Sequence, residues 1–91
     1  MTNNFNIQRI EDFPLDSLIL YSLKEFSNGN IAVAENLHNI FQLKVKEYLK
    51  KAQIYIENSD HYKADNILAN IAKAKIAQSE WIYLATEKLS N

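Results

Sequence analysis

The stretch YIENSDHYKA, residues 55–64, decides the fold. Apolar residues at helical spacing run into it from one side and away from it on the other, and the polar ENSDH segment separates the two runs. A connection this short between two long helices makes an antiparallel hairpin. Ser59 or Asp60 is the expected cap of the second helix.

Upstream, Ala34, Leu37, Phe41, Val45, Tyr48, Ala52 and Tyr55 recur at spacings of three and four, the seam of a helix facing a partner helix. The spacing predicts helix 2 over about 31–57, with Asn30 as its N-cap and a length of roughly 40 Å. Downstream, Ala64, Ile67, Leu68, Ile71, Ala74, Gln78, Ile82, Ala85 and Leu89 predict helix 3 over about 61–89, with Trp81 at the margin of its seam. Alanines 64, 72, 74 and 85 allow a neighbouring helix to approach closely.

A shorter helix is expected over about 14–27. Pro14 suits a first helical turn, and Asp12 and Asp16 suit the positive end of the helix dipole. SNGN, residues 27–30, stops this helix, with Gly29 as the left-handed C′ residue. Residues 1–12 form a polar arm carrying Phe5, Ile7 and Ile10, and residues 13–91 form a single helical domain. The fold class is all-α: a long helical hairpin with the shorter N-terminal helix packed across it. Ile40 and Leu43 fall outside the helix 2 seam and are expected under helix 1. Ile54, Ile76, Tyr83 and Leu84 point away from the assigned seams, so they are the expected interface with a partner or a second copy. Completion of the bundle by an antiparallel homodimer is the leading arrangement; its alternative is coverage by helix 1 and the arm.

Composition narrows function mainly by exclusion. One Gly and one Pro in 91 residues leave no material for a glycine-rich phosphate loop. The absence of cysteine removes disulfides, thiolate catalysis and cysteine-held metals. A net charge of −1, with one Arg among ten basic residues, argues against nucleic acid as a partner. No secretory pattern opens the chain and no apolar run has the ~20 residues of a membrane span, so a soluble cytoplasmic protein is expected.

AENLHNIF, residues 34–41, carries the sharpest chemical question. Glu35 and His38 have the Glu-x-x-His spacing of carboxylate-bridged metal sites in helical bundles. With Phe41 marking the seam, His38 lies about 60° and Glu35 about 120° to one side, so Glu35 faces solvent. No metal or cofactor is assigned. In a hairpin centred near Ser59, residues whose numbers sum to about 118 lie level. His38 then falls beside Gln78, a polar residue in an apolar seam, and a His38–Gln78 hydrogen bond would satisfy both and set the register of the hairpin. His61 is read as a neighbour of the helix 3 cap. The cluster Lys44, Lys46, Lys50 and Lys51, with Lys73 level with it, is read as a solvated face.

YLKKAQIYIENSDHYKADNILANIAKAKIA, residues 48–77, superficially resembles a tetratricopeptide helix pair in the aromatic-x-Ala start of its second helix. It lacks the Trp, Leu-Gly and terminal Pro of that repeat, and helix 2 is too long for it. No family is assigned. The functional expectation is a small non-enzymatic protein-binding or regulatory module, of the accessory, inhibitor or immunity type that phages and mobile elements encode. A structural homo-oligomer is the alternative, followed by a metal- or small-ligand-binding bundle.

Overall fold

Two residues in the left-handed region set the helix boundaries. Gly29 has φ 85° and Ser59 has φ 64°. Each is the C′ residue of a Schellman motif. At the first, Gly29 N–H donates to the Phe26 carbonyl (3.1 Å) and Asn30 N–H to the Glu25 carbonyl (2.9 Å). At the second, Ser59 N–H donates to Ile56 (3.0 Å) and Asp60 N–H to Tyr55 (2.8 Å). The computed structural model describes residues 13–89, and between these stops it contains three helices: α1 (Asp16–Ser27), α2 (Ile31–Glu57) and α3 (His61–Leu89). The polar arm, with Phe5, Ile7, Ile10 and Asp12, lies outside the described residues, as does the side chain of Leu89.

The two stops differ in cost. Glycine adopts the left-handed region freely, whereas an L-side chain there costs roughly 1–2 kcal/mol. Ser59→Gly is therefore expected to stabilise the chain by about 0.5–1 kcal/mol. Gly29→Ala is expected to destabilise it by about 1 kcal/mol, and for conformational reasons alone, because a Cβ at Gly29 meets nothing within 4 Å. Urea denaturation of the two variants should show midpoints moving in opposite directions with unchanged slope.

The capping is partly other than expected. Asp60 caps α3: its Oδ1 accepts from Lys63 N–H at 3.3 Å, and its Oδ2 pairs with Lys63 Nζ at 3.6 Å. The Asn30 side chain does not cap α2. Its amide instead donates to Glu25 Oε1 at 2.7 Å, tying the turn to the end of α1. The first turn of α1 opens with i→i+3 bonds, Ser17 N–H to Pro14 and Leu18 N–H to Leu15, both 3.1 Å. The α-helix proper thus begins two residues after the proline.

Helix α1 packs against both helices of the hairpin. Its start lies beside Tyr48 and Asn70, and Ser22, further along, lies beside Ala34 and Trp81. It therefore runs antiparallel to α2 and covers the half of the hairpin away from the 58–60 turn. Nearer that turn, Lys63 Nζ sits 5.4 Å from the Tyr55 ring centroid. Leu15, Ile19, Phe41, Tyr48 and Ile67 form the tightly packed centre, with Ala34 and Ala74 bringing the backbones together.

Two expectations about helix faces are corrected. Trp81 is in the core, while Leu68 and Ile82, expected in the seam, are 38% and 50% exposed. Helix α3 is rotated because it must bury one face against α2 and α1 together, and Trp81 is the large side chain that reaches both. Ile40 and Leu43 are exposed, the latter at 62%. Because α1 settles in the groove between α2 and α3, it leaves the outer face of α2 open.

Candidate functional site

The polar chemistry of the interior gathers in one cluster built from all three helices. Ser22 is the small polar residue of an otherwise apolar stretch of α1, and it is fully buried. Its hydroxyl donates to the Ala34 carbonyl of α2 at 2.6 Å and accepts from Trp81 Nε1–H of α3 at 2.6 Å. A buried indole N–H and a buried hydroxyl thereby satisfy each other, as the cost of leaving either unpaired requires. The Trp81 ring meets Phe26 edge-on, with centroids 5.8 Å apart. Its face carries the His38 imidazole, stacked at 4.0 Å with planes 7° apart.

His38 and Gln78 meet at the outer edge of this cluster, with Gln78 Nε2 3.0 Å from His38 Nε2. An amide N–H donates, so His38 Nε2 is the acceptor and the ring proton sits on Nδ1. Burial, and then the Lys75 ammonium, hold the His38 pKa below its ordinary 6.5. Both causes favour the neutral ring that the hydrogen bond and the stack require.

The sign of the pH effect follows. With the folded pKa depressed, the unfolded chain takes up a proton as pH falls through 6.5 while the folded chain does not yet. The contribution of His38 to stability is complete above that pH and is lost progressively below it. Thermal melts should therefore show a decline in Tm on acidification below pH 6.5 that is flatter in His38→Phe, which keeps an aromatic ring on Trp81 but cannot titrate.

Glu35 is exposed and takes no part in this cluster. Among the described residues no three His, Cys, Asp or Glu side chains converge where they could hold a metal ion. His61 is the exposed first residue of α3. In the lysine cluster, Lys44 pairs with Glu47 at 3.5 Å, while Lys46, Lys50 and Lys51 are exposed. Lys73 does not join that face and instead pairs with Asp16 at the start of α1, at 3.6 Å.

The four expected interface residues are all exposed: Ile54 at 51%, Ile76 at 75%, Tyr83 at 63% and Leu84 at 40%. They do not form one patch. At about 100° per residue, Ile76 and Tyr83 share the face of α3 opposite its core, Leu84 lies on a flank of α3, and Ile54 lies on the outer face of α2. No helix among the described residues is long and apolar enough to cross a membrane.

A second polar device had no counterpart in the sequence expectations. Asn70 of α3 accepts from Leu15 N–H (3.0 Å) and donates to the Phe13 carbonyl (2.7 Å). The Tyr48 hydroxyl of α2 donates to the same carbonyl at 3.2 Å. The start of α1 is thus clamped to both other helices. An Asn level with a Tyr in the numbering of the hairpin was the available signal, but nothing in its spacing separated it from the other surface asparagines. No protein-family model, no curated protein and no solved structure matches this chain.

Proposed function

We propose that this chain is a small non-enzymatic protein-binding module, acting through helical faces that its own fold leaves uncovered. One observation carries the reading. Among the described residues nine large apolar side chains are buried, the other five buried apolar residues being alanines, while fifteen large apolar side chains are exposed. Isolated exposed leucines are ordinary, but a surplus of this size outside the core is the mark of surfaces used in association. The polar residues of the interior, His38, Gln78, Ser22 and Asn70, are engaged in holding the helices together.

Self-association is the second reading, and one feature favours it. Ala69, Ala72, Ile76 and Tyr83 recur at spacings of three, four and seven along the outer face of α3, a stripe that suits a copy of itself.

Affinity capture from the native host tests the first reading. The expected result is a protein retained in fixed stoichiometry by the wild-type chain and released by a folded variant such as Ile76→Glu or Leu49→Glu. Retention of nothing by the wild-type chain, or equal retention by every surface variant, would overturn it.

A further inference from the structure

The hairpin has two sides, and α1 occupies one of them. With Phe41 as the reference on α2 and Ala74 on α3, and about 100° per residue, Asn70, Lys73 and Trp81, which α1 meets on α3, lie to one side of the core. On the other side a cavity of 220 Å³ opens between α2 and α3, lined by Phe41, Gln42, Val45, Lys46, Lys75 and Gln78. The same projection places four exposed apolar residues along this open side: Leu49 and Ile56 on α2, and Leu68 and Ile82 on α3. From Ile56 to the level of Ile82 the groove is about 30 Å long. It has the position of the missing helix in a four-helix bundle.

Charge decides the occupant. Lys46 and Lys75 flank the cavity, and among the described residues neither is ion-paired. Of the carboxylates nearest in sequence, Glu47 and Glu80 project toward the opposite flank and Asp65 toward the back of α3, while Glu35 and Glu57 share the face of Lys46 but stand about three turns, about 16 Å, to either side of it along α2. Both lysines also lie near the midpoints of their helices. A twofold pairing of this groove with its own copy would gather four ammonium groups around the axis, with the nearest carboxylates on that face of α2 about 16 Å away along the helix, so a second copy fits poorly here. A small amphiphile fits poorly too. The cavity is below the roughly 300 Å³ at which ligand pockets begin, and the apolar margin extends far beyond it.

We infer that this groove receives an amphipathic helix from another protein, with an apolar stripe meeting Leu49, Ile56, Leu68 and Ile82 and carboxylates at its centre meeting Lys46 and Lys75. The inference rests on the protein-binding reading above and assigns that activity a surface. It adds that the partner segment is about 20 residues long, to match the groove.

Synthetic helical peptides of that length, with a leucine stripe and two central Glu, Gln or Lys residues, provide the probe, read by fluorescence anisotropy. The Glu peptide should bind the wild-type chain about threefold to tenfold more tightly than the Gln peptide, the range expected for two partly exposed ion pairs. The Lys peptide should be weakest, and Lys46→Glu/Lys75→Glu should invert the order. Equal binding of the three peptides, binding of none, or saturable binding of decanoate without peptide binding would overturn the assignment. Loss of peptide binding in Ile76→Glu/Tyr83→Glu, with the Lys46→Glu/Lys75→Glu order unchanged from wild type, would also overturn it. That last outcome would leave the protein-binding reading standing, because the groove would be the wrong surface of a chain that still binds helices.

Discussion

Trp81→Ala is expected to cost about 3–5 kcal/mol, the range for removing a large buried aromatic. A chain of this length has between about 5 and 15 kcal/mol in total, so the variant should be partly unfolded at physiological temperature. The indole does three things at once. It fills the space between α1 and α3 against Phe26, it carries the His38 ring, and it donates to Ser22. Trp81→Phe separates these roles. A phenyl ring keeps most of the packing and the stack but has no N–H, and Ser22 keeps its acceptor at Ala34. Its expected cost is about 1–2 kcal/mol. Urea denaturation followed by far-ultraviolet circular dichroism measures both. A cost below about 1 kcal/mol for Trp81→Ala would mean that the cluster does not hold the three helices together.

Asn70→Leu should loosen α1 from the hairpin. The Leu15 N–H loses its partner and the Phe13 carbonyl keeps only the Tyr48 hydroxyl. With two hydrogen bonds removed at a partly buried site, the expected cost is about 1–3 kcal/mol. Asn70→Asp retains an acceptor for Leu15 N–H at a helix start, where a carboxylate is favoured, but sets an oxygen against the Phe13 carbonyl in place of a donor, and so should recover only part of that cost. Hydrogen exchange locates the effect: protection in Asn70→Leu should fall first across residues 16–27, with α2 and α3 retaining theirs. Uniform loss of protection over all three helices would show that Asn70 acts on the hairpin rather than on the α1 clamp.

The boundaries of α2 and α3 were legible because Gly, Asn, Ser and Asp interrupt long apolar periodicities; Gly29 and Asp60 act as expected, whereas Asn30 does not cap α2 and Ser59 ends α2 in the left-handed region. The meeting of His38 and Gln78 was legible because a short turn fixes which residues are level, and a glutamine in an apolar seam needs a partner. The rotation of α3 was not. Trp81 and Ile82 are adjacent, Ile67 and Leu68 are adjacent, and the alanines around them leave the apolar arc broad. Only the position of α1 selects one member of each pair, and that is a tertiary fact. Ser22 and Asn70 escaped for a related reason. Each is a polar residue whose role depends on a helix more than forty residues away, and neither spacing nor composition marks it.

The same tertiary fact bears on function. Once α1 has taken one side of the hairpin, the remaining apolar residues have nothing of the described chain to cover them, and what covers them is the central question. Sedimentation equilibrium of the purified chain tests it most directly. The expected result is a single species of monomer mass at high micromolar concentration, its exposed faces left for a different protein. A stable dimer or higher oligomer at low micromolar concentration would contradict this, since copies of the chain would then cover exposed apolar faces that the account leaves for a different protein.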